Sequence, residues 1–200
     1  MNYEGLIALL VFIVPMCFTP GPNNMLCAAH GSQHGFRATI PLTIGMVVGW
    51  SSLGLAVGFA TVFIEDNQQV FLFLTYIGAA YIAYLGYKIA AQDPTKEKAD
   101  TETEKLGFTT GLMLQIVNGK AWVHFLVMMT SWGTLFGTGF ASKAILVGIN
   151  AIAGYPAVLT WALFGVGLSK IFSTPEKARI LNGLLGISLF AVAVWISLPH

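Results

Sequence analysis

The chain has 200 residues, 56% of them hydrophobic and only 10% charged, with a formal net charge of +1. Soluble domains carry about 25% charged residues, so this chain lacks the polar surface to coat a globule in water. A soluble enzyme and a disordered chain are excluded, and so small a positive charge excludes a nucleic-acid binder.

Charged side chains are absent from the 32 residues between Glu4 and Arg37 and from the 27 between Arg37 and Glu65. A helix needs about 20 apolar residues to span the hydrocarbon core, and such runs recur to the C-terminus. The pattern predicts an all-α integral membrane protein with six transmembrane helices at 5–29, 40–64, 69–90, 108–135, 143–168 and 180–198. The first should remain as a helix. Met1 to Glu4 offers no basic region, and Thr19 to Pro22 no small-residue cleavage site. Cys17 and Cys27 lie ten residues apart in that span, about 15 Å along a continuous helix and too far for a disulfide. They read as reduced packing thiols. His30 and His34, beside Arg37, read as interfacial. Gly45-x3-Gly49, Gly54-x3-Gly58, Gly107-x3-Gly111 and Gly133-x3-Gly137 are spaced for close helix packing. One charged, solvated linker, 93–106, separates repeat one (about 1–92) from repeat two (about 107–200) within a single membrane transport domain, 1–200.

Eight of the ten Lys and Arg residues fall on one side, at loops 1–2, 3–4 and 5–6, and only Lys143 on the other. The positive-inside rule then puts both termini outside. Six spans divide into two inverted three-helix repeats, with helices 1 and 4 broken. The first break is Thr19-Pro20-Gly21-Pro22-Asn23 and the second Asn118-Gly119-Lys120, 95 residues apart from Asn23 to Asn118. Paired interruptions in two inverted halves point to a transporter's binding site.

Pro20 and Pro22 have no amide hydrogen, so carbonyls near Met16 and Phe18 lose their helical partners. Such groups need protein or a wet cavity to face. Thr19 is expected to cap the second half-helix with Pro20 at its first position. The amides beyond it would then face a carboxylate, and the freed carbonyls an ammonium group. An amino acid carries both. Lys120 is the only acidic or fully basic residue deep in a span, which marks it as functional. His124, at i+4, shares its face. Lys120 and His124 are therefore the proton-coupling candidates. Asn23, Asn24 and Asn118 complete a polar pocket, with Asn150 and Tyr155 as a further wall beside Pro156 and Trp161; packing alone would explain Trp161. Neither a metal site nor a cofactor is expected, since no HExxH, GxSxG, Walker A or CxxC motif occurs.

At Thr19-Pro20-Gly21-Pro22-Asn23-Asn24 the sequence resembles the lysine-exporter (LysE/RhtB) family of bacterial amino-acid exporters, whose first helix carries a TPGPN signature. His34-Gly35-Phe36-Arg37 and Gly45-Met46 are similar to its cysteine and O-acetylserine exporter branch. The family's fourth helix carries an Asn-Pro-Lys-type signature; this chain has Gly119 at the proline, which leaves the sharpness of that bend open. The resemblance implies gradient-driven export of a small amino acid or derivative across the bacterial inner membrane. It also carries signature positions over to Asn23, Asn118 and Lys120. The partners expected are that substrate, the lipid bilayer and no nucleic acid; a homo-oligomer stays open. An alternative reading is a membrane thiol–disulfide electron carrier using Cys17 and Cys27. A divalent-metal exporter is disfavoured, because no carboxylate lies inside a span.

Overall fold

Where the charge-poor runs are described they form helix, because a backbone that cannot bond to lipid must satisfy its amides within its own segment. The computed structural model describes residues 3–66, 76, 80, 83–91, 105–137, 139–171 and 174–197. Among these residues every regular element is helical. The elements are α1 (Tyr3–Phe18), α2 (Pro22–His34), α3 (Phe36–Asp66), α4 (Phe108–Val117), α5 (Gly119–Trp132), α6 (Phe140–Ile171) and α7 (Pro175–Ser197). Residues 83–90 are helical as well.

Within α3, Phe36–Ala60 is long and apolar enough to cross a membrane, as is all of α6. The pairs α1–α2 and α4–α5 each qualify as one broken span, bent by 45° and 66°. Four of the six predicted spans are thus accounted for. For the sixth, α7 supplies 23 residues, about 34 Å of helix, the length of a crossing. Of the third, 69–90, only residues 76, 80 and 83–90 are described, and of the linker only 105 and 106. The second span begins earlier than expected, at Phe36. Gly35 ends α2 at φ 82°, a conformation that glycine adopts without strain, and the chain turns at once into α3.

The halves pack crosswise. α1 and α2 lie against α6, while α4 and α5 lie against α3. Glycines make this possible: a side chain at Gly45 would strike the Phe108 carbonyl, one at Gly111 the Leu42 carbonyl, and one at Gly165 the Ala28 carbonyl. The pair Gly133 and Gly137 does something else. Gly133 caps the end of α5 and Gly137 turns at φ 112°, so this spacing builds a turn and not a helix contact. Ile152 and Ile187 are 78% and 66% exposed, whereas Gln115 and Asn150 are buried at 0% and 3%. Apolar groups outside and amides inside is the arrangement that hydrocarbon surroundings favour. His30 is not interfacial. It is 2% exposed, with Nδ1 2.8 Å from Thr39 Oγ1 and Nε2 accepting from the Leu106 amide at 3.1 Å. It therefore ties the start of the second half to the first.

Candidate functional site

Both breaks open into one cavity, whose free space with the open solvent at its mouth is about 520 Å³. Every layer contributes to its wall. Cys17 ends α1, Gly21 and Asn24 open α2, Trp50 comes from α3 and Asn118 from the second break. Lys120 and His124 come from α5, and Asn150 and Gly154 from α6.

At the first break, the carbonyls from Pro15 to Thr19 all find partners. Thr19 bonds back twice, its amide to the Pro15 carbonyl at 2.8 Å and its hydroxyl to that of Met16 at 3.1 Å. Asn24 Nδ2 donates to the Cys17 carbonyl at 2.7 Å and to that of Thr19 at 2.9 Å. The Trp161 indole reaches across from α6 to the Phe18 carbonyl at 3.1 Å. Trp161 is therefore more than packing. The expectation that these carbonyls await an ammonium group is corrected: the protein answers each of them itself.

The amides at the same break are treated differently. The N-cap of α2 is Gly21, in extended conformation, with Pro22 in the first turn; Thr19 does not cap it. Thr19 is two residues too early, and its hydroxyl is already turned back onto α1. No side chain caps α2; Pro22 has no amide hydrogen and the Met25 amide bonds to the Gly21 carbonyl at 2.9 Å, so the Asn23 and Asn24 amides carry the partial positive charge of this end. Lys120 stands against this end. A Cβ on Gly21 would lie 2.9 Å from Lys120 Cδ and 3.1 Å from its Nζ. The ammonium is half-buried and donates to the Thr19 carbonyl at 3.0 Å and to its hydroxyl at 2.9 Å. Of its three N–H groups, one remains for a ligand.

The second break is closed on itself. Asn118, at φ −85° and ψ 93°, is the N-cap of α5, and its side chain accepts from the Ala121 amide. Its Nδ2 donates to Asn23 Oδ1 at 3.1 Å. Asn23 and Gln115 exchange amide bonds at 2.9 and 3.1 Å, so the two breaks are stitched together across the halves. Deeper in the cavity His124 Nε2 lies 2.7 Å from Asn150 Oδ1, and its ring stacks on Phe12 at 5.1 Å.

The structure thus brings Gly21, Pro22, Asn23, Asn24, Asn118, Lys120, His124 and Asn150 to one cavity. Thr19 touches it through Lys120. Pro20 lies outside the wall, and Tyr155 packs against the core instead. Two wall residues with hydrogen-bonding side chains escaped the sequence reading. Gln115 is an amide in an otherwise apolar run, a signal as legible as Asn118. Trp50 sits among apolar neighbours and carries no such signal. Cys17 and Cys27 are both free thiols. Cys17 Sγ faces Asn150 Oδ1 at 3.9 Å and Cys27 Sγ faces Met46 Sδ at 3.6 Å, on either side of the break, so neither thiol has the other as partner. Among the described residues no group of His, Cys, Asp or Glu is arranged to hold a metal ion.

Residues 14–198 match the protein family described as LysE type translocator. The chain is 33% identical over 182 residues to a cysteine/O-acetylserine efflux protein of Escherichia coli O1:K1 / APEC, covering 88% of this chain and 89% of the relative. It is 32% identical over 178 residues to the protein of the same name from Salmonella paratyphi A (strain ATCC 9150 / SARB42), with the same coverage. No solved structure shows a significant match.

Proposed function

The chain belongs to the LysE type translocator family, and from that premise we propose that it exports a small neutral amino acid or amino-acid derivative by alternating access. It is a multi-pass membrane transporter and not an enzyme. The observation that carries the reading is the pairing of uncapped α2 amides with the Lys120 ammonium at one cavity between the halves. Together they form a site for a carboxylate. Among the described residues no Asp or Glu lines the cavity and a lysine does, so a substrate with a cationic side chain would be repelled. The relatives' substrates, cysteine and O-acetylserine, carry no such charge.

Lys120 belongs to the second half and Thr19 to the first, so their contact bridges the parts that would move against each other. A substrate carboxylate adds a third partner to that ammonium and strengthens the link only while the site is filled. Rocking of the halves about the crosswise helix pairs would then expose the site to each side in turn. Lys120 and His124 remain the proton-coupling candidates. The basic bias places both termini outside, so a reporter active only in the cytoplasm should be dark when fused after His200. A bright fusion reverses the orientation. The export reading is tested by following efflux of labelled cysteine, O-acetylserine, alanine and lysine from vesicles holding the purified protein. Efflux of the neutral compounds and retention of lysine is expected; faster efflux of lysine would overturn the site chemistry.

A further inference from the structure

Among the described residues, one fully buried side-chain polar atom has no partner, and its residue belongs to the cavity wall. Trp50 lies in that wall on α3, 7% exposed, and its Nε1 has no hydrogen-bond partner. Among the described residues every other fully buried side-chain nitrogen or oxygen has one. Buried indole N–H groups ordinarily find an acceptor. An N–H that lacks one in the wall of a binding cavity is satisfied when a ligand brings it.

The surroundings say what kind of ligand atom fits there. Gly154, on α6, faces the indole edge. A Cβ at that position would lie 3.2 Å from Cys17 Sγ and 3.5 Å from Trp50 Cζ2, the ring atom adjacent to the carbon that bears Nε1. Glycine therefore keeps open the space between the Cys17 thiol and the six-membered-ring edge of the indole. Asn150, one turn earlier on the same helix face, has its Oδ1 engaged by His124 and by the Cys17 thiol, which leaves its amide hydrogens for the cavity. Among the described residues this end of the site presents N–H donors and a thiol, and no carboxylate. It suits an uncharged side chain that ends in a hydrogen-bond acceptor.

We propose that Trp50 Nε1 donates a hydrogen bond to the side chain of the exported amino acid, and that Gly154 sets the size of that side chain. The exporter then selects neutral amino acids bearing an acceptor oxygen over aliphatic ones of equal length. This rests on the amino-acid export reading, with the substrate's carboxylate held at Lys120 and α2. A site built to donate to a substrate oxygen discriminates against the analogue without it, because the donor is then left unpaired.

The test uses the purified full chain in vesicles, loaded in turn with O-acetylserine, norleucine and alanine. Norleucine matches the length of the O-acetylserine side chain and has no acceptor. The wild type should prefer O-acetylserine over norleucine, and Trp50→Phe, which keeps an aromatic ring and deletes the donor, should lower that preference about five- to ten-fold. Gly154→Ala keeps the indole and should slow both long substrates while sparing alanine. If Trp50→Phe slows all three compounds equally, or if Gly154→Ala does, the residues only shape the fold and the inference is wrong. If the wild type exports none of them, the export reading itself falls, and this inference with it. Amino-acid export with an unchanged preference in Trp50→Phe overturns the inference alone.

Discussion

The two helix breaks, 95 residues apart from Asn23 to Asn118, finish their backbones in different ways. The first break has two prolines and a bend of 45°. Its carbonyls are satisfied by Thr19, Asn24, Trp161 and Lys120, while its amides are left uncapped. The second break has no proline and a sharper bend of 66°. Asn118 caps its amides from within, and the Trp122 indole takes the Ile116 carbonyl at 2.8 Å. Bend angle and binding capacity are therefore separate properties. The sharper break has a side-chain cap and supplies the cation. The gentler one is incomplete on its amide side, and that incompleteness is what an anion can use. In low-dielectric surroundings, uncapped amides beside an ammonium favour a carboxylate more than either does alone.

The largest effect should come from removing the cation that joins the breaks. Lys120→Met keeps the stem and deletes the charge. The Thr19 carbonyl still receives Asn24 Nδ2 at 2.9 Å, so the first break should keep its shape. Losing a charged hydrogen bond to a carboxylate costs about 2 kcal/mol or more, roughly a thirty-fold loss of affinity. Titration calorimetry on the purified protein measures it. Lys120→Arg retains the charge, but its planar fork cannot occupy the compact ammonium's place beside Gly21, so it should recover only part of the binding. Wild-type affinity in Lys120→Met would show that the first break binds without help from the second.

Asn118 offers a smaller and different test. Asn118→Ala removes the cap of α5 and one of the two bonds to Asn23 Oδ1, while Gln115 keeps the other. The lost cap is worth about 1 kcal/mol, which should lower the melting temperature in detergent by a few degrees. Transport should fall through a loosened Lys120 position, so KM should rise with the carboxylate site itself intact. An unchanged melting temperature would mean that the second break owes nothing to its cap, and the contrast between the breaks would lose its physical basis.

Much of this was legible in the sequence, for reasons that differ by residue. Charge-free runs fix the membrane class, and prolines without amide hydrogens fix the first break, because both are local properties. Lys120 stood out since no other charge lies so deep. Which residue caps which helix was not legible. Thr19 and Gly21 are both acceptable N-caps, and the choice turned on Thr19 bonding back to Met16. The fate of the freed carbonyls depended on Trp161, 143 residues away from Phe18, and no local pattern reports such a contact. Trp50 was invisible for the same reason. Its importance lies in a missing partner, which only the packed structure can reveal. His30 was misread because the group that answers its Nε2 is the Leu106 amide, beyond the linker.

The smallest expected effect concerns the glycine that distinguishes the second break. Gly119 is the first residue of α5, a position where proline is favoured because its fixed φ suits the helix and no partner for its amide is lost. Asn118 before it is extended, with ψ 93°, as a residue preceding proline prefers to be. The α5 bonds that close this turn run from Ala121 and Trp122 to the Asn118 carbonyl at 2.9 and 3.2 Å, and neither uses the Gly119 amide. Gly119→Pro should therefore keep the 66° bend and the cap, and stabilise the protein by about 0.4–1 kcal/mol through a less flexible unfolded chain. A thermal melt should move up by a few degrees, with efflux unchanged. A lower melting temperature would mean that the bend depends on a conformation proline cannot adopt. The second break would then be held by glycine's freedom and not by its cap, which is the reverse of what separates it from the first.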